Sequence, residues 1–260
     1  MTQSSRPKKH TPAELAALLT FDSFPRSATY DPQWMLENGM GPNSVWLAEA
    51  LSQVMDFQAA MRVLDMGCGR ASSSIFLARE FHLQVWATDL WISASDNWRR
   101  ICAANLQYAV FPIGAEAHTL PFAGGFFDAL VSLDAYHYFG SDDLYLGYYA
   151  QFVRPGGYIA IVVPGLVHEF THGLPDHLAP YWSWDWWSFH SPDWWRRHWE
   201  KTGLVEVEVA DFVPDGWKHW LRWMEVSLEQ GLPSSQEEIE MLRLDRGRNL
   251  GFTRLVARKK

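Results

Sequence analysis

The sequence predicts an α/β fold, a doubly wound and mostly parallel sheet with helices on both faces. Three observations predict it. From Arg62 onward, short apolar runs of strand length alternate with helix-length segments, the pattern of strands covered on both faces. The first run enters a glycine turn, Asp65-Met66-Gly67-Cys68-Gly69, that opens directly into a helix. A chain of 260 residues that is 48% hydrophobic can bury the core such a sheet needs.

Taken in order, Thr11-Pro12-Ala13-Glu14 carries the start signals of a helix: a Thr cap, Pro at the first position and Glu at the third. A short helical piece around 33–37 ends at the Gly39-Met40-Gly41-Pro42 turn, and a helix capped by Asn43 is predicted to run to about Phe57. Strands are predicted at 62–66, 84–88, 110–114, 126–132 and 157–163, with helices at 71–81, 93–105 and 141–152. Ser141-Asp142-Asp143 should start the last of these helices, and Pro155-Gly156-Gly157 should turn into the fifth strand. After Pro164 the alternation gives way to a His- and Pro-containing stretch and a tryptophan cluster. A helix capped by Ser191-Pro192, a strand near 204–210, helices near 217–228 and 236–246 and a last strand near 249–258 complete seven strands. The expected organisation is one domain: a helical extension or lid at 1–60, a core at 61–164, and a substrate lid with the completion of the sheet at 165–260.

Composition excludes some functions. A net charge of −8 and the absence of a clustered basic face argue against a nucleic-acid partner. No apolar run reaches membrane-spanning length and the first ten residues lack a secretory signal's apolar stretch, so the expectation is a cytoplasmic protein without membrane insertion, monomer or homodimer. Cys68 and Cys102 have neither metal-ligand nor disulfide-framework spacing, and the histidines at 168, 172 and 177 lack the helical pairing of a zinc motif, so no metal is expected.

The chemistry is concentrated at the predicted strand ends. Gly67 and Gly69 permit a tight turn through which a ligand approaches backbone N–H groups at a helix N-terminus. Asp89 ends the second strand, where a carboxylate can accept from both ribose hydroxyls of a nucleotide, with Leu90 and Trp91 placed to pack on the base. Gly114-Ala115-Glu116-Ala117 follows the third strand, then Leu120-Pro121-Phe122 and Phe126-Phe127-Asp128. In this order and spacing, residues 60–165 resemble the class I S-adenosylmethionine-dependent methyltransferases. The resemblance implies a Rossmann-like fold and S-adenosylmethionine as cofactor. It matches the family's glycine motif to Asp65, Gly67 and Gly69, with Cys68 of the same turn expected at the cofactor, its ribose-binding acid to Asp89, and its adenine turn to Ala115-Glu116-Ala117. Ala71 stands where a third glycine is common. A dinucleotide-dependent enzyme shares the glycine turn but leaves Glu116 and the Leu-Pro-Phe turn unexplained.

The expected activity is methyl transfer to an oxygen or nitrogen of a small molecule, releasing S-adenosylhomocysteine. Carbon methylation, lipid cyclopropanation and cofactor binding without turnover are the rivals. Where a proton must leave the acceptor, His137 is the first candidate base, in Asp134-Ala135-Tyr136-His137-Tyr138 after strand four. Its alternative is a packing histidine. Tyr136 is a weaker catalytic candidate, and Asp134 and Tyr30 are expected at the cofactor. Seven of the 15 Trp fall between 182 and 199. Trp182 and Trp186, with His168, are candidate acceptor contacts through ring faces, against the alternative of plain packing.

Overall fold

The computed structural model describes residues 9–260; Met1–Lys8, the start of the expected N-terminal extension, lie outside the described residues. Three helices precede the sheet: α1 (Pro12–Leu19), α2 (Pro32–Asn38) and α3 (Ser44–Ser52). The capping box at Thr11 and Glu14 is present, and the Asn43 side chain accepts from the backbone N–H groups of Val45 and Trp46. The third helix stops at Ser52 rather than near Phe57. The Ser52 hydroxyl donates back to the Glu49 carbonyl at 2.7 Å, offering the backbone an alternative to continuing.

The alternating core then runs β1 (Arg62–Met66), α4 (Ser72–Phe81), β2 (Gln84–Asp89), α5 (Ala94–Ala103), β3 (Val110–Gly114), β4 (Phe127–Leu133), α6 (Tyr145–Tyr149) and β5 (Val153–Leu166). The chain finishes with α7 (Pro192–Glu200), β6 (Val205–Phe212), α8 (Gly216–Glu229), α9 (Gln236–Asp245) and β7 (Leu250–Lys259). The seven strands order as β3-β2-β1-β4-β5-β7-β6. The first five are parallel, and β7 pairs antiparallel with both β5 and β6. Pro112 lies within β3, which is tolerated because β3 is an edge strand and a missing N–H there leaves no ladder partner unpaired.

The predicted helix over 141–152 is the largest local departure. Only Tyr145–Tyr149 is α-helical, continued by a 3-10 turn at Ala150–Phe152. The Asp142 carboxylate accepts the Leu144 N–H at 2.7 Å, a local turn that competes with a helix start. The following aromatic-rich segment is held by packing, with Tyr145 and Tyr149 buried.

Alternating strand residues build two cores. On one face Val63, Val85, Val131 and Val162 pack with the interior of α3, α4, α8 and α9. On the other, Leu64, Leu130, Ile159 and Ile161 pack against Tyr145, Tyr149 and the fully buried Trp195 and Trp199 of α7. Part of the tryptophan cluster is therefore core. No helix among the described residues is long and apolar enough to cross a membrane.

Candidate functional site

The strand order turns back between β1 and β4, and at such a point the chain departs in opposite directions on the two sides, leaving a crevice beyond the carboxyl ends of the strands. A cavity of about 420 Å³ lies there, lined by Gly67–Gly69 after β1, Asp89–Trp91 after β2, Glu116–His118 after β3 and Leu133–Ala135 after β4. Met40 and Gly41, from the turn after α2, and Ser72 and Ser73, at the start of α4, also face it.

The glycines serve a steric purpose. Gly67 has φ +74°, and a Cβ there would lie 2.4 Å from the Ala135 Cβ. Gly69 has φ +53°, and its Cβ would meet the Met40 sulfur at 3.3 Å. The backbone N–H groups expected to face a ligand are already engaged: those of Gly67 and Cys68 donate to the Thr88 carbonyl at 2.9 and 3.0 Å, and that of Gly69 donates to Asp89 Oδ2 at 2.8 Å. The turn is thus tied to β2, because its amides follow β1 in register beside the last residues of that strand. Ala71 adopts the left-handed conformation, φ +60°, that a third glycine would adopt without strain, and it is fully buried.

Asp89 is nearly buried and organises two loops. Its Oδ1 accepts from the N–H groups of Trp91 and Ile92 at 2.8 and 2.9 Å while Oδ2 holds Gly69. A carboxylate offers about four acceptor directions, so one remains, on Oδ2, rather than the pair expected for two ribose hydroxyls. Leu90 and Trp91 are exposed at the cavity wall. In the third loop both Glu116 oxygens are taken by His118, Oε2 by its backbone N–H at 2.8 Å and Oε1 by its ring at 2.7 Å. The His118 hydrogen bond holds the Glu116 carboxyl below its usual range. Ala117 lines the cavity; Ala115 does not.

Asp65 sits beneath the cavity rather than in it. It is fully buried, and its Oδ2 accepts from the hydroxyls of Ser73 and Ser74 at 2.7 and 2.6 Å, so it fixes the first turn of α4. Its Oδ1 is buried without a hydrogen-bond partner. Burial pushes its pKa up to about 6 against the two serine hydrogen bonds.

Asp134, by contrast, lines the cavity with no hydrogen bond or ion pair to its carboxylate among the described residues. Its φ is +56°, and desolvation holds its pKa well above the ordinary value, with the Glu238 charge adding to the effect. The next residues turn inward. Tyr136 is fully buried in an aromatic nest with Tyr149, Trp195 and Trp199. His137 is also buried, packed against Tyr138 and Phe189, with Nδ1 unpartnered and burial pushing its pKa down to about 3. Neither reaches the cavity; Tyr138, which sequence reasoning passed over, does.

The remaining candidates lie elsewhere. Tyr30 lines a separate cleft with Trp34, Arg79 and Arg100, where its hydroxyl donates to Glu80 Oε1 at 2.9 Å. His168 is exposed. Trp182 packs edge to face on Trp186 and Phe189, and Trp186 stacks on Phe189; both are half-buried and outside the cavity lining. Met40 and Gly41 carried a sequence signal in their turn, whereas Ser72 and Ser73 carried none beyond the helix start. Among the described residues no group of His, Cys, Asp and Glu is arranged to hold a metal ion.

Residues 63–157 match the sequence profile described as a methyltransferase domain. That match takes in the alternating core from β1 to the start of β5. A fatty-acid O-methyltransferase of Mycolicibacterium smegmatis is 29% identical over 123 residues, 46% of this chain and 40% of that protein. The chain spans about two fifths of the length of the curated relatives it matches. The domain's fold is shared with the structure of a geranyl diphosphate methyltransferase in complex with S-adenosylmethionine, at TM-score 0.66 and 16% identity over 84% of this chain and 86% of that one. A phosphoethanolamine N-methyltransferase 2 of Haemonchus contortus, also in complex with S-adenosylmethionine, superposes at TM-score 0.66 and 18% identity over 92% of this chain and 60% of that one.

Proposed function

We propose that this protein is an S-adenosylmethionine-dependent methyltransferase acting on an oxygen or nitrogen of a small-molecule acceptor. The observation that carries the reading is one cavity joining the ends of four parallel strands of the methyltransferase domain, with Asp89, the Glu116 loop and Asp134 on its wall. The residues fit the cofactor. Asp89 keeps one free acceptor direction for a ribose hydroxyl, exposed Leu90 and Trp91 offer apolar faces to the adenine, and the start of α4 at Ser72 and Ser73 suits a carboxylate. Gly67, Cys68 and Gly69 act by leaving room, and Asp65 acts indirectly by fixing α4.

S-adenosylmethionine, when bound, supplies a methyl group whose bond to the sulfonium breaks as the acceptor's lone pair forms the new bond, the electron pair returning to sulfur. The protein's own contribution is alignment and exclusion of water. Met40 and Gly41 cover the cavity, and the Trp223 Nε1–H donates to the Gly41 carbonyl at 2.9 Å, so α8 holds the cover in place. We take residues 1–60 as this cover, 61–164 as the cofactor-binding core and 165–260 as the region that completes the sheet and borders the acceptor. The likeness to a fatty-acid O-methyltransferase favours a second reading in which the acceptor atom is a carboxylate oxygen.

Calorimetry with S-adenosylhomocysteine tests the cofactor assignment: saturable binding is expected, and none would refute it. Release of S-adenosylhomocysteine from S-adenosylmethionine across a panel of amines, alcohols and carboxylic acids tests turnover. Tight cofactor binding with no release from any of them would leave a binding protein rather than an enzyme.

A further inference from the structure

One wall of the cavity carries a carboxyl group that has no counter-charge among the described residues. Asp134 follows β4 in a left-handed backbone conformation, which a β-carboxylate residue tolerates better than most and which concentrates at functional sites. The turn projects its carboxylate against Gly41, where a Cβ would lie 2.4 Å from Oδ2. No cation among the described residues pairs with it; Arg70, also on the cavity wall, donates to the Glu37 carbonyl instead, at 2.7 Å. The neighbouring groups add to the imbalance. The ring of Tyr138 shares the cavity wall, and the charges of Asp134, Asp185 and Glu238 all act on it. Glu238 receives one hydrogen bond from a side chain across the fold, Trp220 Nε1 at 2.6 Å; Asp185 has a buried, unpartnered Oδ1 and faces His137, which burial keeps neutral. Among the described residues no lysine or arginine is paired with any of the three carboxylates.

We propose that the acceptor is a small primary or secondary amine that enters as its ammonium ion and binds at Asp134, whose carboxylate receives the departing proton. This rests on the methyltransferase reading. An anionic acceptor would meet like charge in a desolvated site, whereas an ammonium supplies the missing counter-charge and stacks against the Tyr138 ring face. An ammonium has no lone pair. One N–H bond must break, its electrons staying on nitrogen and its proton going to an Asp134 oxygen, before nitrogen can attack carbon. A carboxyl held above its usual range is a better base for that step than an exposed one, and His137, neutral and out of reach, is not needed.

Three measurements test this. First, S-adenosylhomocysteine is titrated into the wild type; absence of binding refutes the methyltransferase reading itself, an outcome separate from failure of the amine assignment. Second, hexylamine and hexanoate are titrated into the S-adenosylhomocysteine complex of the wild type and of Asp134→Asn. The expected result is hexylamine bound at least about tenfold more tightly than hexanoate, a preference lost in the variant while affinity for S-adenosylhomocysteine is kept. Absence of an amine preference, whether both probes bind or neither does, overturns the proposal. Loss of S-adenosylhomocysteine affinity in the variant with the amine preference intact also overturns it, because Asp134 would then hold the cofactor. Third, hexylamine turnover is followed against pH. The variant's rate should rise about tenfold per pH unit as free amine accumulates and the wild type's less steeply; parallel profiles overturn the role as base.

Discussion

Asp65 gives the fold a pH dependence that can be worked out from its surroundings. Its pKa is raised from 3.8 to about 6, so it is a carboxyl whose folded state prefers the proton. The stability it supports is fully present below the unfolded value and is lost as pH rises through about 6. Each pH unit between the folded and unfolded values is worth about 1.4 kcal/mol, so ionised Asp65 costs the fold about 3 kcal/mol, roughly 2 of which fall between pH 4.5 and 8. Asp65→Asn cannot ionise, and its carbonyl can still accept from the Ser73 and Ser74 hydroxyls. Its NH2 would occupy the place of the unpartnered Oδ1, a penalty of about 1–3 kcal/mol that is independent of pH. The test is therefore the slope of the difference and not its absolute size. Urea unfolding of both proteins at half-unit steps from pH 4.5 to 8 should show the variant gaining about 2 kcal/mol relative to the wild type. The low-pKa histidines titrate in both proteins and cancel. A difference that stays flat across that range would refute the argument that desolvation of Asp65 outweighs its two serine hydrogen bonds.

Three further perturbations have definite outcomes. Asp89→Asn replaces one acceptor oxygen by a donor facing backbone N–H groups, and should weaken S-adenosylhomocysteine binding at least about tenfold by calorimetry, unchanged affinity being the adverse result. Gly67→Ala combines φ +74° with a Cβ 2.4 Å from Ala135 and should lower stability by about 2–4 kcal/mol in chemical denaturation; a shift under about 1 kcal/mol would show that the turn has room. His219 packs among Phe21, Phe24 and Trp46, and burial lowers its pKa to about 4, so stability present above its unfolded value is lost as pH falls. Between pH 7 and 5 the loss is about 2 kcal/mol, and His219→Phe should remove it in parallel thermal melts.

The strands were readable because a parallel sheet covered on both faces leaves short continuous apolar runs, and each of the seven lies within a few residues of its expected place. The cavity wall was readable for the same reason: residues following consecutive strand ends converge wherever parallel strands share a direction, so Asp89, Glu116 and Asp134 meet without further information. What escaped the sequence depends on partners distant along the chain. Which amides of the glycine turn remain free depends on its register with Thr88 and Asp89. Whether Tyr30 reaches the cavity depends on its partners Phe76 and Glu80 on α4. His137 and Tyr138 are neighbours in sequence, yet the 3-10 turn at Tyr136–Tyr138 buries one ring against Phe189 and turns the other to the cavity.

The tryptophans separate along the same line. Trp195 and Trp199, four apart on α7, present one helical face to the sheet and are fully buried. Trp220 and Trp223 lie on one face of α8, and each spends its indole N–H on the site's surroundings, one on Glu238 and the other on the Gly41 carbonyl. These two tie Glu238 and the Gly41 turn to the same helix. The Trp223 bond spans 182 residues and joins a loop before the first strand to a helix near the chain's end. Arg254 of β7 makes a second such link, its Nη1 donating to the Ala50 carbonyl at 2.6 Å. The parts of the chain with least sequence pattern are thus bound to each other across the most patterned part. Variation at either end of the Trp223 bond would move Gly41 relative to Asp134, whose carboxylate lies against it, and so reshape that side of the cavity.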